Sequence, residues 1–311
     1  MSQLHGVVTI LPTPFTEDGA NVDYDDVRSV IDTIIGEGVH GVALLGVASE
    51  FYKIADDERS KLLETTVEQT AGRVPVVVNV TRHATELAVR DAKEAQSIGA
   101  DAVMIVPPSF IPPSAEAVFE HIREVAESVD LPVIVQYAPN VTGVGIPAET
   151  FLSIASACRN DVYVKAESTP PGHLISTLVQ QTEGRIGVFI GNGGLQMYDA
   201  LERGAVGLMP GAAMVKPYLD IYEAYRSGDK AKAFARFNAF LPVLNVTAQG
   251  AEMFTRFEKK ILKARGVIKS DVCRKPYYTP DAGYERMLRM YNDLMRSQYG
   301  YELLPEEGAR L

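Results

Sequence analysis

Short runs of consecutive apolar residues recur along the chain, each followed by a loop, an amphipathic stretch and a closing glycine. The runs are Gly6 to Leu11, Gly41 to Leu45, Val74 to Val80, Ala102 to Val106, Val133 to Tyr137, Val162 to Lys165, Gly187 to Ile190 and Ala205 to Met209. Continuous rather than alternating apolar runs predict strands buried on both faces of a parallel sheet. Between the first two, Val27, Val30, Ile31, Ile34 and Ile35 form one stripe at helical spacing, and Gly36 and Gly38 are expected to stop that helix. Thr85 to Ile98 closes on Gly99, Ser114 to Ser128 follows Pro112-Pro113, and Leu195 to Arg203 closes on Gly204. Eight strands alternating with eight helices predict an α/β chain folded as a (β/α)8 TIM barrel ending near residue 225. An open doubly wound sheet fits the same alternation, but it calls for a glycine-rich turn after the first strand. Here that turn reads Leu11-Pro12-Thr13-Pro14-Phe15.

Beyond the barrel the pattern stays helical over Lys216 to Arg226, Lys230 to Leu244, Met253 to Gly266 and Ala282 to Tyr299. Breaks such as Ser227-Gly228-Asp229 are short, so two parts are expected: a catalytic barrel over residues 1–225 and a C-terminal helical appendage over 226–311 packed on it.

Charge narrows the function. Among 311 residues, 30 basic side chains face 40 acidic ones, a formal charge of −10. With no Lys/Arg cluster, this argues against nucleic acid and anionic membrane as partners, and an anionic small substrate needs a local positive site. Met1-Ser2-Gln3-Leu4-His5 lacks the pattern of a signal peptide, and no window approaches the roughly 18 apolar residues of a membrane span, so a cytoplasmic location is expected. Cys158 and Cys273 read as one core and one loop cysteine, and the asparagines of Asn140-Val141-Thr142 and Asn245-Val246-Thr247 as unmodified. His5, His40, His83, His121 and His173 form no metal-ligand spacing, and neither a metal nor a cofactor is expected.

Barrel enzymes work at the C-terminal ends of their strands. Lys165 ends the sixth run. It reads either as a lysine snorkelling to water or as a desolvated amine, of lowered pKa, able to form an imine with a ketone. The second run ends in Gly46-Val47-Ala48-Ser49-Glu50, a small-residue turn whose amides suit a carboxylate or simply close a tight loop. The seventh ends in Gly191-Asn192-Gly193-Gly194, too short and lysine-free for a nucleotide loop.

The order and spacing of "GVVTILPTPF", "GVALLGVASE", "ADDERSKLL", "VPVVVNV", "GADAVMIVPPSF", "DLPVIVQYAP", the sixth-strand lysine and "ALERGAVGLMPGAA" resemble one family across residues 5–270. It is the dihydrodipicolinate synthase / N-acetylneuraminate lyase superfamily of class I aldolases and dehydratases. The resemblance implies a Schiff base on Lys165, a 2-keto acid substrate held at Gly46, Val47, Ala48 and Ser49, and a homotetramer (a dimer of dimers). In that assembly the loop after the fourth strand reaches the neighbouring site.

Departures from the family pattern carry as much information. Val47 and Ala48 stand where the family has hydroxyls, with Ser49 one step later. Gln136 falls at the position of the proton-relaying tyrosine, unless a one-residue shift brings Tyr137 there. Phe110 replaces the tyrosine, and Val141 the arginine, that a dihydrodipicolinate synthase uses. Ser49-Glu50, His83, Gln136 and Glu167 instead resemble the L-2-keto-3-deoxyarabonate dehydratase branch. On a strand continuing past Lys165, residue i+2 faces the same side, which makes Glu167 the first acid/base candidate. Tyr137, His83 and Ser49 follow, with Gly191 and Asn192 as further substrate contacts. The favoured reading is dehydration of a 2-keto-3-deoxy sugar acid. Pyruvate-dependent aldol chemistry or dihydrodipicolinate synthesis is the alternative, and a non-catalytic metabolite-binding barrel the alternative of another class.

Overall fold

Eight parallel strands close into a barrel in the order β1 to β8 in the computed structural model, which describes residues 4–306. They are β1 (Gly6–Ile10), β2 (Gly41–Leu44), β3 (Val76–Asn79), β4 (Ala102–Ile105), β5 (Val133–Tyr137), β6 (Val162–Ala166), β7 (Gly187–Ile190) and β8 (Gly207–Leu208). Helices α1 (Tyr24–Glu37), α2 (Asp56–Thr70), α3 (Thr85–Ile98), α4 (Ala115–Glu127), α5 (Pro139–Thr142), α6 (Ala148–Ala157), α7 (Gly172–Gln181) and α8 (Met197–Glu202) lie between them in sequence. After β8 come α9 (Val215–Arg226), α10 (Lys230–Thr247), α11 (Ala251–Ala264), α12 (Ala282–Arg289) and α13 (Asn292–Tyr299). The (β/α)8 TIM barrel with C-terminal helices expected from the apolar runs is the fold observed.

The chain separates into two compact units. The first comprises the residues up to Val8, His40–Ala43 and Gly72–Met209, and it holds the sheet apart from the last residues of β1 and β2. Inside it, Tyr163 and Phe189 face each other in the lumen with ring centroids 5.9 Å apart. Gly187 is what admits them, because a Cβ there would lie 2.4 Å from the Tyr163 ring. The Tyr163 hydroxyl accepts the Leu4 amide at 3.1 Å.

The second unit comprises Thr9–Val39, Leu44–Ala71 and the chain from Pro210 onward. In it α1 packs on α2 and α9, and α10 packs on α9, α11 and α12. Helix α1 begins at Asp23, whose carboxylate accepts the Asp26 amide, and ends at Gly38 with φ of 100°. Gly36 lies inside that helix rather than stopping it, since it keeps helical dihedrals and only Gly38 turns left-handed. The expected single helix from Ala282 to Tyr299 is broken at Met290-Tyr291. Its buried Asn292 donates to the Leu304 carbonyl and accepts the Leu303 amide, which fixes α13 on a new course. Cys158 and Cys273 are both free and both buried, so the loop cysteine is packed as closely as the core one. No helix among the described residues is long and apolar enough to cross a membrane.

Candidate active site

Register in the first unit decides which side chains meet. Gln136 of β5 is the Cα partner of Lys165, and Lys165 in turn is the partner of Phe189 on β7. Partners in a parallel sheet project to the same face, so Gln136 and Lys165 share the lumen with the Phe189 ring. Both are buried, Lys165 at 4% exposure and Gln136 at 1%. The extended course of β6 continues one residue beyond the strand, where the Glu167 amide donates to the Tyr137 carbonyl at 2.8 Å. The two-residue period therefore brings Glu167 to the side of Lys165, and its Oε1 lies 3.5 Å from the Lys165 Nζ. Among the described residues this carboxylate is the amine's sole polar partner.

Glu167 itself is held on every side. Its Oε2 accepts Gln136 Nε2 at 2.5 Å and its Oε1 accepts the Asn192 amide at 3.0 Å. Asn192 Nδ2 also donates to the Glu167 carbonyl at 3.2 Å, and the Gly191 amide donates to the Ala166 carbonyl at 3.1 Å. Gly191 has an ordinary φ of −102°, so its role is space rather than conformation. A Cβ there would lie 2.2 Å from Glu167 Oε1 and 2.3 Å from its Cγ. Asn192 adopts φ of 49°, a left-handed turn that asparagine tolerates and that aims its amide at the carboxylate. Because Gln136 Nε2 is committed to Glu167, Gln136 Oε1 is left as an acceptor, buried and without a partner among the described residues. A carboxylate fixed against an amine, with an unmet acceptor beside them, can move a proton and hold a hydroxyl.

Tyr137 is not part of this group. It stands on the opposite face of β5, its ring edge-on to Phe151 of α6 at 5.4 Å, and its hydroxyl accepts the Ile146 amide at 3.3 Å. The register places Gln136 in the lumen and turns Tyr137 out, correcting its candidacy as an acid. His83 is exposed on the loop after β3, and among the described residues it forms no hydrogen bond or ion pair with Lys165, Gln136 or Glu167. His121 of α4 has its imidazole pushed below its ordinary pKa by burial first and by the neighbouring His83 second. Gly191 and Asn192, read as substrate contacts, are both engaged in seating Glu167. Sequence reasoning missed that function because it depends on a void and a main-chain amide, neither of which a motif records.

The turn after β2 belongs to the second unit. Its Ser49 hydroxyl donates to the Leu11 carbonyl at 2.5 Å and accepts the Gly46 amide at 3.0 Å. The Ser49 carbonyl accepts from Thr13 Oγ1 at 2.8 Å, and the Gly46 carbonyl accepts the Ser49 amide at 3.0 Å. Ser49 is 1% exposed and Gly46 is tied at both backbone atoms, so both are engaged in building the turn. Val47 and Ala48 keep amides that donate to no described residue. No group of three or more His, Cys, Asp or Glu able to hold a metal occurs among the described residues.

A sequence profile of the Dihydrodipicolinate synthetase family matches residues 3–290. The L-2-keto-3-deoxyarabonate dehydratase of Azospirillum brasilense is 30% identical over 276 residues, covering 87% of this chain and 88% of that one. The 4-hydroxy-tetrahydrodipicolinate synthase of Methanopyrus kandleri is 30% identical over 243 residues, 78% of this chain and 80% of that one. Among solved structures, the dihydrodipicolinate synthase of Rhodopseudomonas palustris superposes with a TM-score of 0.84 at 27% identity, over 91% of this chain and 95% of that one. With the barrel, the buried sixth-strand lysine and a match across nearly the whole sequence, the chain belongs to the dihydrodipicolinate synthetase family and is a lyase of that family.

Proposed function

We propose that this lyase forms a Schiff base between Lys165 and a 2-keto-3-deoxy sugar acid, and eliminates water from it. The observation that carries this reading is the lysine's sole partnership with Glu167, whose carboxylate is seated by Gln136 and Asn192. Lys165 adds to the ketone and expels water, giving an iminium. Glu167 takes a proton from the neighbouring methylene, leaving an enamine. The enamine then expels the hydroxyl one carbon further on, which leaves as water with a proton returned by Glu167. Gln136 has no proton to give, and its free Oε1 suits the hydrogen of that leaving hydroxyl.

Dehydration is favoured over dihydrodipicolinate synthesis because the positions for that activity's tyrosine and arginine hold Phe110 and Val141. Both are apolar and exposed, at 86% and 58%. The 30% identical Azospirillum protein is named as a dehydratase of this substrate class. Exposed Phe110 and Ile111, at 86% and 80%, also support assembly as a homotetramer, and a cytoplasmic location completes the proposal.

Borohydride reduction in the presence of pyruvate, followed by peptide mass analysis, tests the imine. The expected result is a single adduct on Lys165, with 2-keto-3-deoxyarabonate then dehydrated rather than cleaved and no turnover of pyruvate with aspartate semialdehyde. An unmodified Lys165 with every 2-keto acid tried would leave a binding protein and not a lyase.

A further inference from the structure

Strand order gives Lys165 unlike neighbours on its two sides. Gln136 of β5 and Phe189 of β7 are its register partners, and all three side chains face the lumen of the first unit. On the β5 side the neighbour is a polar amide, buried at 1% exposure. On the β7 side it is a fully buried ring whose centroid lies 5.9 Å from that of Tyr163. Beyond Phe189, Asn192 spends its main-chain amide and its Nδ2 on Glu167.

The orientation of the Gln136 amide follows from chemistry. A carboxylate only accepts, so the nitrogen faces Glu167 Oε2, and that bond is 2.5 Å long. The oxygen on the same amide carbon therefore lies beside the carboxylate, with no partner among the described residues. A buried acceptor without a donor costs free energy that a ligand hydroxyl recovers. A hydroxyl bonded there is held on the β5 side, next to Glu167, whose other oxygen faces the amine at 3.5 Å. A hydroxyl of the opposite configuration turns toward Phe189 and meets an aromatic ring.

We infer that Gln136 is a specificity-determining residue, which selects one configuration at the hydroxyl-bearing carbon and confines the elimination to one face of the bound 2-keto acid. This rests on the dehydration reading above and adds a stereochemical course to it. With the imine formed on Lys165, Glu167 takes the methylene hydrogen on its own side, and the pair of that carbon–hydrogen bond forms the enamine. The nitrogen lone pair then restores the iminium, the enamine pair moves one bond along, and the carbon–oxygen bond breaks with its pair on oxygen. Glu167 returns its proton to that oxygen, and water departs. One fixed carboxylate makes both transfers, so hydrogen and hydroxyl leave from the same face.

The test uses the intact chain and two 2-keto-3-deoxy sugar acids that differ only in configuration at the hydroxyl-bearing carbon. Wild type is expected to dehydrate one of them with a kcat/KM about tenfold or more above the other. A methylene deuterium on the hydroxyl's side of the extended carbon chain is expected to be lost at early conversion, and one on the opposite side to stay in the product. In Gln136→Met both epimers should slow, and their ratio should fall to within about threefold. A purely structural role for Gln136 would slow both and leave the ratio intact. That result, a smaller wild-type ratio, or loss of the opposite deuterium overturns the assignment while dehydration itself stands. Should the variant not fold, the wild-type ratio and the label decide alone. A wild-type protein that dehydrates neither acid removes both readings.

Discussion

Lys259 and Lys165 are both buried amines beside a carboxylate, at 2.5 Å from Glu50 and 3.5 Å from Glu167 respectively. Around Lys259 the partners are complete: a carboxylate, a carbonyl and an aromatic face. Burial pushes that amine below its ordinary pKa, and the neighbouring Glu50 carboxylate opposes the shift. Among the described residues, Lys165 has one long contact and the adjacent Gln136 Oε1 has no partner. In the first unit the donors are gathered on the carboxylate and the amine is left underbound, whereas in the second the amine is saturated. A lysine that holds structure is surrounded until nothing more can reach it. A lysine that must meet a carbonyl needs open valence and a fixed neighbour, and hydrogen bonds to Glu167 provide the second without sacrificing the first.

The sharpest way to break this contrast is to replace each lysine by methionine in turn. Lys165→Met is expected to abolish trapping and turnover, with a smaller stability loss because Gln136 and the Asn192 amide still hold Glu167. Lys259→Met is expected to lower stability by about 3–5 kcal/mol in denaturant titration, because Glu50 is then buried without its main counter-charge. Matching stability losses in the two variants would erase the distinction.

Glu167→Gln addresses the loose pair alone. Imine trapping with pyruvate should persist, while dehydration slows by roughly 10²- to 10⁴-fold, the range for loss of a general acid/base. Unchanged dehydration would return the role to His83. The smallest effect is expected from Tyr137→Phe. Among the described residues its hydroxyl bonds only the Ile146 amide on the outer face of β5, so stability should fall by about 0.5–1.5 kcal/mol. Turnover should stay within about twofold, and a larger loss would mean that the hydroxyl reaches the lumen during the reaction.

How far these arrangements can be read from sequence depends on how local their causes are. The strands were legible because apolar runs report burial on both faces, and α3 because Gly99 closes it with φ of 109°. Lys165 and Glu167 could be placed together from the strand period, two residues apart. Whether Gln136 or Tyr137 faces them could not, because β5–β6 register is a pairing across about thirty residues and both assignments satisfy the local pattern. The break between α12 and α13 depends on bonds from Asn292 to residues more than ten positions ahead. Glu50 and Lys259 are 209 positions apart. One local signal did exist for the second of them: Thr255, Glu258, Lys259 and Leu262 fall on one helical stripe and all are buried. Charged side chains on a buried stripe ask for partners elsewhere in the fold without naming them.

Gly191 carries an implication for how such a site can change over time. The room it leaves is occupied by Glu167, so the two positions are sterically linked although they lie on different strands' ends. A lineage that gained a methyl group at 191 first would find the acid two places beyond the lysine shut out. One that gained the acid first would find 191 frozen. A side chain at 191 and the Glu167 carboxylate therefore compete for one space in this chain.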